Sequence, residues 1–223
     1  MPVRSTKGFL FLLPLLGLYA PAALAMGDAG AGRTIAMQGN GKGAVACVSC
    51  HGAAGEGNAA AGFPRLAGLN AEYLVKQLQD YKAGTRRDPV MQPFGASLTS
   101  QEMRDVAAYY AGLEPPDGQG TADDNALGET LALRGDWDND IPACVSCHGP
   151  GGRGIDPYFP AIAGQHAGYI RSQIQAWKSG ARQNDPNDLM RVVAERMTDE
   201  QIEAVSRYFA AQPPVKPTSG DKP

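Results

Sequence analysis

The sequence predicts an all-α protein made of two tandem lobes, each containing a few helices. The chain repeats its own pattern at an offset of about 97 residues, and the same motif, Cys-Val-Ser-Cys-His-Gly, occurs once in each copy. Apolar residues recur at helical spacing in both copies. No segment alternates apolar and polar residues for long enough to predict a strand.

Helical spacing is clearest after each Cys-rich motif. Asn70 to Lys82 is predicted to form a helix that ends at Gly84, since glycine readily adopts the left-handed C-cap conformation. The apolar positions are Leu74, Leu78 and Tyr81 in this copy, and Ile170, Ile174 and Trp177, before Gly180, in the second.

A further helix is predicted to close each lobe. Thr99 with Glu102, and Thr198 with Gln201, fit the capping-box pattern, in which two side chains satisfy exposed backbone N–H groups at a helix start. Each predicted helix has one buried apolar stripe, formed by Met103, Val106 and Tyr110 in the first copy and by Ile202, Val205 and Phe209 in the second.

The chain divides into five segments. Residues 1–25 resemble a secretory signal peptide, with basic residues, a short apolar run and an Ala23-Leu24-Ala25 cleavage signal. An uncleaved membrane anchor is the alternative, although the apolar run is short for a span of roughly 20 residues. Residues 26–113 form the first lobe and 124–212 the second, joined by a turn-rich linker at 114–123. Residues 213–223 are predicted to be a flexible tail.

Composition excludes one class of partner. The net charge of −3, from 20 basic and 23 acidic residues, leaves no basic excess for nucleic-acid binding. An exported chain of this kind is expected in the periplasm, with peripheral membrane association left open.

The four cysteines form two C-x-x-C-H motifs, and two of the three histidines follow them directly. C-x-x-C-H is the attachment signal for c-type haem, with two thioether bonds and a histidine ligand to iron. A zinc site, a redox dithiol or a disulfide pair would not explain a histidine after both motifs. The predicted covalent attachment residues are Cys47, Cys50, Cys144 and Cys147, and the predicted iron ligands are His51 and His148.

Methionines at matching positions of the repeat are the candidates for the sixth iron ligand. Met91 lies eight residues before Thr99, and Met190 lies eight residues before Thr198. Met103 and Met197 have no methionine counterpart and are predicted to pack in the core. Histidine–methionine ligation fills both axial positions, which favours one-electron transfer over substrate binding.

For three further residues the sequence allows two roles each. The carbonyls of Pro64 and Pro160 could accept a hydrogen bond from the ligand histidines, as such rings usually require, or these prolines could simply form rigid turns. His166 corresponds to Asn70 in the repeat, so a role at a helix start or an interface is favoured over iron ligation.

The C-x-x-C-H-G motif, the F-P-x-[LI]-A-G motif, the late methionine and the capped final helix together resemble the cytochrome c4 family over about residues 27–212. The resemblance implies two class I cytochrome c lobes, each wrapped around a covalent haem c. Haem propionates are then expected near the lobe interface. The resemblance also implies that His51 with Met91, and His148 with Met190, are the axial ligand pairs. It implies in addition that the carbonyls of Pro64 and Pro160 accept hydrogen bonds from the ligand histidines.

The implied function is that of a periplasmic dihaem electron carrier in a respiratory chain, not an enzyme. Its redox partners would be a donor reductase or dehydrogenase and an acceptor such as a terminal oxidase. The alternative is a haem subunit of a catalytic complex, such as a flavocytochrome c sulfide dehydrogenase. A dihaem peroxidase is a third hypothesis, which the two matched methionines oppose.

Overall fold

The computed structural model describes residue 1 and residues 27–116 and 125–214, and within these ranges the regular structure is helical. The first lobe contains α1 (Ala29–Gln38), α2 (Val48–His51), α3 (Ala71–Ala83), α4 (Met91–Ser97) and α5 (Ser100–Gly112). The second contains α6 (Ala126–Leu133), α7 (Val145–His148), α8 (Ala167–Lys178), α9 (Leu189–Arg196) and α10 (Asp199–Ala211). The prediction of an all-α fold in two tandem lobes is confirmed.

The predicted helix ends agree closely with the structure. The Asn70 side chain caps α3 by accepting a hydrogen bond from the Tyr73 N–H, and Gly84 ends the helix at φ 76°. Both capping boxes are formed, at Thr99 for α5 and at Thr198 for α10. In the second lobe Ser179 is the C-cap of α8, one residue before Gly180.

Four helices outside the C-x-x-C-H motifs were not predicted, and their sequences explain why. α1 contains two glycines, and α4 contains both proline and glycine within seven residues, which lowers intrinsic helix propensity. α6 and α9 are only eight residues long. These four helices form because tertiary packing overrides weak local preference.

Helix packing repeats between the lobes. α1 packs on α5, and α3 packs on α4 and α5; in the second lobe α6 packs on α10, and α8 packs on α9 and α10. The first and last helices of each lobe approach closely at matching glycines, Gly32 in α1 and Gly128 in α6. A Cβ atom there would lie 1.9 Å from the Asp105 carbonyl oxygen and 2.4 Å from that of Ala204, respectively.

The lobes contact each other through equivalent loops. The Arg87 N–H donates to the Ala181 carbonyl at 2.9 Å, and the Gln183 N–H donates to the Thr85 carbonyl at 2.8 Å. These reciprocal backbone bonds place two loops of the repeat side by side.

Three predicted segments lie wholly or mostly outside the described residues: the signal peptide at 1–25, the linker at 114–123 and the tail at 213–223. Across the ranges that are described, none of the helices has the length and apolar character that crossing a membrane requires.

We expect Gly32→Ala to destabilise the first lobe by about 1–3 kcal/mol, the usual cost of forcing extra volume into a packed site. In an open helix the same change would stabilise by up to about 1 kcal/mol. Gly112→Ala, at the end of α5 with no atom within 4 Å of the added Cβ, is the matched control. Chemical denaturation would measure the free energy of unfolding of both variants. Equal values for Gly32→Ala and Gly112→Ala would contradict the close-contact explanation.

Candidate functional site

A cavity of about 410 Å³ is lined by residues of both lobes, and all eight predicted site residues lie on its wall. These are Cys47, Cys50, His51 and Met91 from the first lobe, and Cys144, Cys147, His148 and Met190 from the second. Residues separated by 40 or more positions in each lobe are thus brought to one space.

Each C-x-x-C-H motif folds as a single helical turn, α2 or α7, with the first cysteine at its N-cap. The histidine at the end of each turn is buried. All four cysteines are half-buried, and no two of them are joined by a disulfide bond. Burial raises the pKa of the Cys47 thiol, and it raises that of Cys144 to about 11.

Both motif histidines are held by a proline carbonyl. His51 Nδ1 lies 3.0 Å from the Pro64 oxygen, and His148 Nδ1 lies 2.8 Å from the Pro160 oxygen. Because a carbonyl can only accept, Nδ1 carries the hydrogen and Nε2 keeps its lone pair. Burial lowers the pKa of both histidines, which favours the neutral ring that a metal requires. Pro64 and Pro160 therefore act as hydrogen-bond acceptors for the histidines, and not only as rigid turns.

The paired methionines begin equivalent helices. Met91 is the first residue of α4, and Met190 is the second of α9. An aspartate fixes each backbone: Asp88 Oδ1 accepts from the Met91 N–H at 2.9 Å, and Asp185 Oδ2 accepts from the Met190 N–H at 2.8 Å. The unpaired methionines, Met103 and Met197, are 1% and 3% exposed and belong to the apolar cores, although Met197 also reaches the cavity wall.

Two buried arginines, here called the arginine pair, lie where the lobes meet: Arg86 and Arg182. Gln77 Oε1 accepts from Arg86 Nη1 at 2.9 Å and from Arg182 Nη2 at 3.0 Å. Gln173 Oε1 likewise accepts from Arg86 Nη2 at 2.6 Å and Arg182 Nη1 at 3.0 Å. The two charges thus share both amide oxygens.

The arginine pair has no counter-ion among the described residues, in which neither guanidinium has a carboxylate oxygen within 4.0 Å. Burial, and then repulsion from Arg86, lowers the pKa of Arg182. Buried charges normally require an opposite charge. Both side chains line the cavity, so they are placed to receive a carboxylate from within it.

The residues present fit a haem. His51 Nε2, Tyr110 OH and Trp177 Nε1 are buried without a hydrogen-bond partner in the described part of the chain, and all three residues line the cavity. A haem iron would coordinate the imidazole nitrogen, and the negative charge of haem propionates would compensate the arginine pair. The apolar remainder of the wall suits a porphyrin face.

Sequence reasoning did not identify the arginine pair. The repeat contained the signal, because each arginine lies two residues after a glycine at matching positions: Gly84 after α3 and Gly180 after α8. His166 is confirmed as an interface residue: it is the N-cap of α8 without a side-chain capping bond, and its Nδ1 lies 3.1 Å from the Phe63 carbonyl of the other lobe.

Comparison with known proteins agrees with this geometry. The family model described as "Cytochrome c" matches residues 31–114 and again 126–212. The chain is 46% identical over 202 residues to the thiosulfate dehydrogenase electron acceptor of Stutzerimonas stutzeri, covering 88% of this chain and 93% of that protein.

Two solved structures share the fold. Reduced cytochrome c4 from Pseudomonas stutzeri superposes with a TM-score of 0.74 at 36% identity, covering 83% of this chain and 99% of that one. The thiosulfate dehydrogenase TsdBA of Marichromatium purpuratum superposes with a TM-score of 0.79 at 44% identity, covering 83% of this chain. This chain spans 40% of that longer one.

We expect Cys47→Ala with Cys50→Ala to unfold the first lobe, because its apolar side chains face the cavity and a lobe of this size buries little surface unaided. Circular dichroism should show the loss of about half the helix signal, and limited proteolysis should remove the first lobe while the second keeps its haem. Ser49→Ala, an exposed position within the same motif, is the control and should retain both haems. Native helicity in the double variant would contradict the prediction.

Proposed function

This chain belongs to the cytochrome c family and is a dihaem electron-transfer protein of the cytochrome c4 type, with two covalently bound haem c groups, and on that premise we propose that it shuttles single electrons between redox proteins of the periplasm. Export is inferred from the signal-peptide pattern of residues 1–25.

In our assignment the first haem is attached through Cys47 and Cys50, with His51 and Met91 as axial ligands. The second is attached through Cys144 and Cys147, with His148 and Met190 as axial ligands. The wall positions of these residues, and their occurrence at matching places in two lobes, support the assignment.

Haem iron with nitrogen and thioether ligands supplies one-electron exchange and stabilises the reduced state. The chain's own residues orient and shield this chemistry. Pro64 and Pro160 fix the histidine rings, while Asp88 and Asp185 fix the helix starts that carry the methionines. The arginine pair supplies positive charge for the propionates.

The matched methionines are the observation that carries the proposal. A peroxidase requires one iron with an open coordination position, whereas both lobes here present a methionine to the cavity. With both axial positions filled at each iron, electron transfer is the reaction that this arrangement supports.

The proposed donor is a thiosulfate dehydrogenase. Support comes from the relative named as the electron acceptor of such an enzyme, and from the longer TsdBA chain in which a similar two-lobed segment is present. The proposed acceptor is a terminal oxidase of the respiratory chain, as cytochrome c4 resemblance implies.

A second candidate function is a stable haem subunit of a dehydrogenase complex. The covalent continuity of the similar segment with the rest of TsdBA favours it, and a flavocytochrome c sulfide dehydrogenase is the other complex of this kind. Size-exclusion chromatography of the protein from its native source separates the two, because a carrier elutes alone and a subunit elutes with its catalytic chain.

Replacing Met91 or Met190 by Leu tests the ligand assignment. Each change should remove the red absorption band of sulfur-ligated ferric haem at one site and lower the potential of that haem, because the thioether no longer stabilises ferrous iron. The other haem should be little changed. Met103→Leu and Met197→Leu are the controls, and either of them abolishing the band would show that the assignment is wrong.

Thiosulfate with a catalytic amount of thiosulfate dehydrogenase should reduce both haems, which the visible haem spectrum would record directly. Thiosulfate alone, and sulfide with a flavocytochrome c, are the comparison reactions. The enzyme is first shown to be active with an artificial acceptor. If this active enzyme then fails to reduce the protein, the proposed donor is excluded.

A further inference from the structure

A side chain of the second lobe binds the backbone that holds the first lobe's haem histidine. Gln165 is 4% exposed. Its Oε1 accepts from the Arg65 N–H at 3.0 Å and from the His166 N–H at 3.1 Å, and its Nε2 donates to the Arg65 carbonyl at 3.0 Å. Because backbone N–H groups only donate and carbonyls only accept, these bonds fix which end of the amide faces Arg65.

The Arg65 N–H belongs to the same peptide group as the Pro64 carbonyl, which accepts the hydrogen bond from His51 Nδ1 at 3.0 Å. A continuous chain of hydrogen bonds therefore runs from Gln165 across the lobe interface, through one peptide unit, to the His51 ring. We call it the Gln165 relay.

Within residues 125–214, the described part of the second lobe, there is no equivalent relay. The repeat counterpart of Gln165 is Leu69, a hydrocarbon that cannot accept a hydrogen bond, and the counterpart of Arg65 is Ala161. Ala161 packs instead against the apolar core of the first lobe, to which Leu69 belongs. His148 has its proline bond, but in the described chain no side chain binds the N–H of that peptide.

We propose that Gln165 is a positioning residue that lowers the reduction potential of the haem at His51 through this relay, and leaves the haem at His148 unaffected. The proposal rests on the ligand assignment made above. It makes the two haems of the repeat inequivalent through a contact that exists only when the lobes are docked.

The direction of the effect follows from hydrogen-bond polarisation. A peptide whose N–H donates to an acceptor carries more negative charge on its carbonyl, so successive bonds in a chain strengthen one another. A stronger bond at Nδ1 makes the other ring nitrogen a better electron donor to the metal. Better donation stabilises ferric iron, and the potential falls.

The principal test is Gln165→Leu in the protein with both haems, since leucine is the residue at the matching position of the repeat. The potential of the haem at His51 should rise, with a several-fold gain in its equilibrium constant for reduction, while that of the haem at His148 stays constant. The NMR resonance of the His51 Nδ1–H should move to lower chemical shift, as expected for a weaker hydrogen bond.

Two variants separate the relay from general loosening of the interface. His166→Asn removes the bond to the Phe63 carbonyl, which also joins the lobes, but leaves the Pro64–Arg65 peptide intact; both potentials should stay at the wild-type values. Gln165→Glu keeps an oxygen that accepts from the Arg65 N–H, so the His51 resonance should keep its position or move to higher shift.

The proposal would be overturned if Gln165→Leu shifted the reduction potentials of both haems equally or shifted neither. It would also be overturned if His166→Asn shifted the potential of the haem at His51 by the same amount. If Gln165→Leu does not assemble, Gln165→Glu decides, because weakening of the His51 bond in that variant contradicts the relay. The Met91 and Met190 variants test the ligands separately. If they behave as expected while Gln165→Leu changes nothing, only the relay is wrong.

Discussion

The helices of each lobe are arranged around a cofactor cavity, and this constraint governs the rest of the molecule. α3, α5 and their counterparts α8 and α10 direct apolar side chains both toward one another and toward the cavity. Covalent attachment solves the resulting shortage of apolar surface, because a tethered haem acts as a permanent part of the core. The same constraint explains why the chain tolerates short motif helices and glycine-rich loops, since the haem orders them from inside.

Much of this arrangement could be predicted from the sequence because chemistry and repetition coincide in it. The C-x-x-C-H motifs, the capping boxes at Thr99 and Thr198 and the central helices have strong local signals, and the repeat allowed Met91 and Met190 to be separated from Met103 and Met197. The helices α1 and α4 lacked such signals. Gly32 of α1 and Gly95 of α4 are required by close contact, with Asp105 and Leu78 respectively. The contact of Gly32 spans 73 positions of the chain and leaves no local pattern.

Apart from His166, the interface contacts could not be predicted from the sequence, for a related physical reason. Each arginine of the pair binds one glutamine of its own lobe and one of the other lobe, and Gln165 binds backbone of the other lobe, so these hydrogen bonds depend on how the lobes dock. A buried cation bound only by neutral acceptors is costly unless an anion compensates it, so haem propionates placed beside the arginine pair would stabilise the docked interface. Arg65 extends the same principle, since backbone carbonyls of both lobes bind its guanidinium and burial lowers its pKa to about 10.

The reciprocal bonds between residues 85–87 and 181–183 involve only backbone atoms. Thr85 and Ala181 differ between the copies, as do Arg87 and Gln183, and yet the two bonds are alike in length. Main-chain pairing of this kind does not require particular side chains, so substitutions on the outward surface of either half can leave these two bonds in place. Either half can therefore acquire a new docking surface by substitution while the backbone contact that joins the two halves is kept.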